Sequence, residues 1–258
     1  MPYQKSLDRL QNILTELRAK CPWDKKQTIH TLSTQTIEEL YELIDAIAQE
    51  NWDNIKEELG DLLLHLLFYS KIATEQNQFS LAEVIEQVCN KLVRRHPHIY
   101  EMVQVKDETE VKKNWEQLKL KEGKKSIFEG VPQALPALVK AYRLQDKAKQ
   151  IGFDWDNTDD VYAKFQEEWK ELQEALANKN KDATEEELGD VLFSIINYAR
   201  HIGVNPEQAL ERTNQKFKKR FELMEELVMD EDKKLNNMSL IEMDKYWVMA
   251  KNKLKSNI

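Results

Sequence analysis

The sequence predicts an all-α protein built from two tandem helical-bundle domains. Three observations carry that prediction. Glycine and proline number only six each in 258 residues, which allows long helices and leaves few turns for strands. Apolar residues recur at three- and four-residue spacing through most of the chain, and neither half shows strand alternation. Residues 37–65 repeat at 166–194 with 14 identities in 29 positions and no gap. A period of 129 residues is too long for a solenoid repeat and fits a duplicated domain. The N-terminal domain is drawn as 1–118, the linker as 119–135 and the C-terminal domain as 136–258.

Leu7, Leu10, Ile13, Leu14 and Leu17 form the apolar stripe of a first helix over about 5–20. Pro22 stops it, and Asp24 or Thr28 starts the next. A second helix runs from about Ser33 to Gln49. It carries Leu40, Ile44 and Ile47 on one face, Leu43 beside them and Glu39 on the flank. After the turn ENWD, a third helix spans about Asn54–Gln76, with a broad face of Leu59, Leu62, Leu63, Leu66 and Leu67. Glu58, Asp61 and His65 lie along its edge. Ser80 and Glu83 have capping-box spacing before a fourth helix that ends at Pro97. Residues 101–118 are charged and weakly helical. The Gly, Pro and Lys of 119–136 read as a linker. The second half repeats the plan, with helices at about 136–150, 158–178 and 182–202, one opened by Pro206, and a last one over 239–254.

The net charge of −8 argues against a nucleic acid or an anionic membrane as the main partner. Cys21 and Cys89 make no disulfide framework and no zinc spacing. No stretch of 18 apolar residues occurs, and the N-terminus has no apolar signal region, so the expected location is the cytoplasm.

The chemistry lies in the repeated stretch. Glu39 and Glu42 sit three apart on one helix, and Glu58 and Asp61 three apart on the next. Glu168, Glu171, Glu187 and Asp190 repeat that spacing 129 residues later. Residues three apart share a helix face, so each helix pair aims four carboxylates at one place. Most glutamate pairs on helices are solvated surface charge. Here the quartet recurs, and each third helix carries a glycine (Gly60, Gly189) just before its Asp. A mid-helix glycine costs about 1 kcal/mol relative to alanine, which suggests a close backbone approach. Four like charges in one place call for a cation. An all-oxygen donor set suits Mg²⁺, or Mn²⁺, which commonly bridge carboxylates to phosphates. Glu167 or Glu38 would orient or deprotonate a water. His65, His96 and His98 lack the Glu-x-x-His spacing of di-iron bundles. Lys91, Arg94 and Arg95, and again Lys216, Lys219 and Arg220, each fall within about one helical turn and suit phosphate. Trp23, Phe153, Trp155 and Trp247 can stack on a base or simply pack.

LRAKCPWDKKQT at 17–28, the EExxE and EELGD pairs of both halves, KLVRRHPHIY at 91–100, VPQALPAL at 131–138, IGFDW at 151–155 and KFKKRF at 216–221 together resemble the tandem MazG-type nucleoside triphosphate pyrophosphohydrolases over nearly the whole chain. The resemblance implies an all-α fold that dimerises, and Mg²⁺-dependent hydrolysis of nucleoside triphosphates to monophosphate and pyrophosphate. It places activity mainly in the C-terminal half and the metal ligands on Glu168, Glu171, Glu187 and Asp190. Nucleotide-contacting segments fall on Lys164, Phe165, Gln166, Glu167 and Glu168, on Ala183, Thr184, Glu185 and Glu186, on Lys216, Phe217, Lys218, Lys219 and Arg220, and on Trp247. The N-terminal quartet of Glu39, Glu42, Glu58 and Asp61 is also complete, so a second metal site is expected there. The rival expectation is a nucleotide- and metal-binding regulatory module without turnover.

Overall fold

A computed structural model describes residues 2–101, 106–107, 111, 115 and 126–255. The linker expected at 119–135 lies outside the described residues up to 125. Most of the weakly helical stretch at 101–118 lies outside them as well, although Trp115 is helical. All regular elements among the described residues are helices. The chain divides into two compact units, 1–108 and 109–258.

In the first unit, α1 (Pro2–Lys20) is followed by a short 3-10 turn (Asp24–Lys26), α2 (Ile29–Ala48), α3 (Trp52–Glu75), α4 (Leu81–Arg95) and the single turn α5 (Pro97–Tyr100). Thr28 caps α2 in a reciprocal box with Thr31, so α2 begins about one turn earlier than the apolar periodicity alone predicts. Asn51 accepts the Asn54 N–H and starts α3. Ser80 and Glu83 form the predicted capping box of α4. Glu50, at φ 54°, makes the tight reversal that folds α2 and α3 into a hairpin.

One face of that hairpin is covered. Leu14 of α1 packs with Leu32, Leu67, Phe68 and Ile72, and Leu7, Leu10, Leu64, Tyr69 and Leu81 close around them. Arg18 ties the corner. Its guanidinium meets Glu75 at 2.9 Å and the Gln27 carbonyl at 2.9 Å, and lies over the Phe68 ring. The other face is bare. Leu40, Ile44 and Ile47, the expected core face of α2, are 46%, 46% and 55% exposed. Leu59, Leu63 and Leu66 of α3 are exposed as well. Helix α4 contributes Leu81 to the core but leaves Val84, Ile85, Val88 and Leu92 exposed. Among the described residues of this unit, α1 supplies the second layer on the covered side of the hairpin.

The second unit contains α6 (Ala137–Gln150), α7 (Thr158–Ala177), α8 (Lys181–His201), α9 (Pro206–Met229) and α10 (Leu240–Lys255). Asn157, Asn180 and Asn205 cap α7, α8 and α9. Helices α7 and α8 reproduce the hairpin, with Lys179 at φ 53° in the place of Glu50. Val161, Leu172, Ala175, Val191 and Ile196 are buried in this unit. The bare outer face recurs as Leu188, Leu192 and Ile195. Helices α9 and α10 share a separate core of Met224, Val228, Tyr246 and Ala250.

Leu32 is 1% exposed at the centre of the first unit's core. Leu32→Ala is expected to lower unfolding stability by about 2–5 kcal/mol through lost burial and the residual cavity. Chemical denaturation followed by circular dichroism measures it.

Candidate metal and nucleotide site

The α7–α8 hairpin sets Glu168 and Glu171 one turn apart on α7, opposite Glu187 and Asp190 on α8. One carboxylate oxygen each from Glu168, Glu171 and Glu187 lies within 4.8 Å of the others. Glu168 is buried, Glu187 half-buried and Glu171 exposed. In the first unit the corresponding group is Glu39, Glu58 and Asp61, all half-buried. Each hairpin thus brings three of its four expected carboxylates together, and a different residue stands apart. Asp190 is outside the first group and Glu42 outside the second, and both are exposed. Both still act by charge. Asp190 raises the Glu187 pKa, and Glu42 raises those of Glu39 and Glu58.

The carboxyls of Glu171 and Glu187 are both held above the ordinary value. Desolvation is the larger cause, followed by Glu168 for Glu171 and by Asp190 and then Glu168 for Glu187. Glu39 and Glu58 are shifted the same way for the same reason. Lys164, one turn before Glu168, partly offsets the repulsion. Its ammonium sits 2.8 Å from Glu167 and 2.6 Å from Glu168, and those bonds raise its own pKa. The matching position in the first unit is Gln35, which is neutral. The first cluster therefore has no built-in cation at that place.

The repeated glycines do not mark a close approach within the chain. A Cβ at Gly60 or Gly189 would meet nothing within 4 Å, because both lie on the exposed flank of their helices. His65 is buried, and its Nδ1 sits 3.2 Å from the Thr36 hydroxyl.

The other expected contact residues are spread around the hairpin. Phe165 stacks against Tyr162, and Gln166 is exposed. Ala183 and Thr184 form the first turn of α8, anchored to Asn180, with Glu185 and Glu186 exposed beside them. Lys216, Phe217, Lys218 and Lys219 are exposed on α9. Trp247 of α10 packs on Phe217, with ring centroids 5.1 Å apart, and under the Arg220 guanidinium.

The sequence pattern missed a cavity. A space of about 490 Å³ opens between α6, α7, α8 and the loop after α6. Glu168, Asp190 and Lys164 lie along it, and Phe153 and Trp155 help to wall it. Gln145, Ser194 and Asn197 also line it, and all three are buried. The loop is held by Asp154, which accepts from Arg200 at 2.9 Å and lies 3.0 Å from His201. Gln145 had a visible signal. It interrupts the apolar register of Leu138, Ala141 and Ala148 on α6.

A family profile described as the MazG nucleotide pyrophosphohydrolase domain matches residues 27–100 and 158–224, together more than half of the chain. A nucleoside triphosphate pyrophosphohydrolase/pyrophosphatase MazG of Thermotoga maritima is 43% identical over 250 residues, covering 95% of each chain. A nucleoside triphosphate pyrophosphohydrolase of Escherichia coli K12 is 37% identical over 256 residues, covering 95% of this chain and 97% of that one.

The Asp154 latch has a pH signature. Burial raises the Asp154 carboxyl, but the Arg200 and His201 bonds outweigh burial and hold it below its ordinary value. A depressed carboxylate stabilises the fold above its unfolded pKa, and that stability is lost as pH falls through the folded value. Thermal melts of wild type between pH 3 and 7 should show this loss on the acid side. Asp154→Asn leaves the Arg200 guanidinium, 5% exposed, without its charge partner. It is expected to lose about 3 kcal/mol at pH 7 and to flatten the acid limb.

Proposed function

Because the chain belongs to the MazG nucleotide pyrophosphohydrolase family, we propose that its C-terminal unit carries a Mg²⁺-dependent site cleaving nucleoside triphosphates to the monophosphate and pyrophosphate. The chain is an enzyme of the acid-anhydride hydrolase class, and its substrate is a nucleotide. The observation that supports the site is the group of Glu168, Glu171 and Glu187 oxygens within 4.8 Å of one another. Its donor set is all oxygen, and desolvation followed by mutual repulsion raises two of its carboxyls. That is the signature expected of a place for a hard divalent cation. Glu168, Glu171, Glu187 and Asp190 would hold it. The bound ion supplies charge neutralisation at the phosphates and a water of lowered pKa.

The chain's own groups take the remaining roles. Glu167, held by Lys164, orients the attacking water and accepts its proton. The Lys164 ammonium lies along the cavity beside Glu168 and meets a phosphate oxygen. Ala183, Thr184, Glu185 and Glu186 bring the first turn of α8 against the nucleotide, with Phe165 and Gln166 on the facing helix. Lys216, Lys219 and Arg220 offset the charge that develops on the leaving pyrophosphate. Trp247 and Phe217 buttress Arg220 from behind, with Lys218 alongside. In the N-terminal unit, Glu39, Glu42, Glu58 and Asp61 would hold a second cation.

Two copies of the chain associate through the bare hairpin faces, on which Leu59 and Leu63 lie one turn apart on α3, and Leu188 and Leu192 one turn apart on α8, all exposed, apolar surface of the kind that marks an interface. The protein acts in the cytoplasm. No helix among the described residues is long and apolar enough to cross a membrane.

Incubation with Mg²⁺ and a nucleoside triphosphate should release pyrophosphate and the monophosphate. Release of orthophosphate and the diphosphate, or binding without turnover, would overturn the assignment. Chelation of the metal should abolish turnover. Glu171→Gln should lower kcat/KM by roughly 10²-fold or more, with Glu42→Gln affecting it far less. The reverse order would move the active site to the N-terminal unit.

A further inference from the structure

The cavity beside the carboxylates has aromatic and aliphatic walls, Phe128, Leu144, Phe153, Trp155, Val161 and Phe193 among them. Such walls suit a flat ring with a polar edge. One polar atom inside has no use in the fold. Gln145 is 7% exposed, and its Nε2 donates to the Phe193 carbonyl at 2.8 Å. That bond fixes the amide orientation, since the flipped amide would set two oxygens against each other. Oε1 is therefore the other end, and it finds no hydrogen-bond partner among the described residues. A buried acceptor left without a donor is costly, so a donor is expected to arrive with a ligand. Ser194 points the same way. Its hydroxyl already donates to the Val191 carbonyl at 2.9 Å, which leaves its oxygen as an acceptor.

We propose that this cavity receives the nucleotide's base and that Gln145 Oε1 accepts a hydrogen bond from the exocyclic amino group of adenine or cytosine. The amino group offers two protons to a cavity that presents acceptors. Inosine and uracil carry a carbonyl oxygen at the matching position, which would face Oε1 lone pair to lone pair. Trp247 competes poorly as the base platform, because its ring is already packed by Phe217 and Arg220. The proposal rests on the pyrophosphohydrolase reading and adds to it the edge of the base that is read.

The test compares kcat/KM for pyrophosphate release from ATP against ITP and from CTP against UTP. Wild type is expected to prefer the amino member of each pair by tenfold or more. Gln145→Met, with a wild-type circular dichroism spectrum, should bring both ratios to within about twofold. Ratios near one in wild type would overturn the proposal and indicate that a water satisfies Oε1. Ratios that persist in Gln145→Met would overturn the role of Gln145. If that variant does not fold, wild type decides through the triphosphate of purine riboside, which lacks the amino group and adds no bulk. A fall of tenfold or more from ATP supports the proposal, and equal turnover overturns it. Absence of pyrophosphate from every nucleotide would instead overturn the functional reading on which it stands.

Discussion

Mutual repulsion among carboxylates is the constraint around which both units are arranged. A hairpin of two capped helices forces acidic side chains to within 4.8 Å of one another, and hydrophobic packing on one face of the hairpin holds them there against their own charge. The energy comes from residues such as Leu32, Phe68 and Val161, each buried two turns along the same helix face from a cluster carboxylate (Glu39, Asp61 and Glu168). Desolvation adds to the strain by raising the pKa of Glu171 and Glu187. A protein that stores unfavourable charge in this way gains affinity for whatever cation relieves it.

The two units differ in how they meet that constraint. In the second, Lys164 bonds Glu167 and Glu168 and so supplies part of the countercharge from within. In the first, Gln35 occupies the corresponding place and leaves Glu39, Glu58 and Asp61 to be balanced from outside. An incoming cation meets a partly neutralised cluster in one unit and a fully acidic one in the other. Equal spacing of ligands therefore does not mean equal affinity. The duplication kept the spacing of the four acidic residues, while the three that group together differ between the units and the charge beside them diverged at Lys164 and Gln35.

Much of the fold was legible because helix periodicity and capping are local. Ser80 with Glu83, Thr28, and Pro206 at the start of α9 each announce a boundary in a few residues. The carboxylate hairpins were legible because the repeat doubled the signal. Burial was less so. Leu40, Ile44 and Ile47 have the pattern of a core face, yet they are exposed, since periodicity shows that a face is apolar but not what covers it. The glycines at 60 and 189 suggested crowding that is absent. The cavity was not legible, because it draws on Gln145 of α6, Asp154 of the loop after it, and Phe193 and Arg200 of α8, which are far apart along the chain and share no short motif.

The separations along the chain also imply an order of assembly. Glu168 and Glu187 belong to one hairpin joined by a short turn, so closing it costs little chain entropy. The bonds that shape the cavity span 48 residues for Gln145 with Phe193 and 46 for Asp154 with Arg200. Contacts between distant parts of a chain form later than local ones. The acidic hairpin should therefore exist before the walls that enclose it. A nascent chain would pass through a stage in which the acidic hairpin is formed and the cavity beside it is still open.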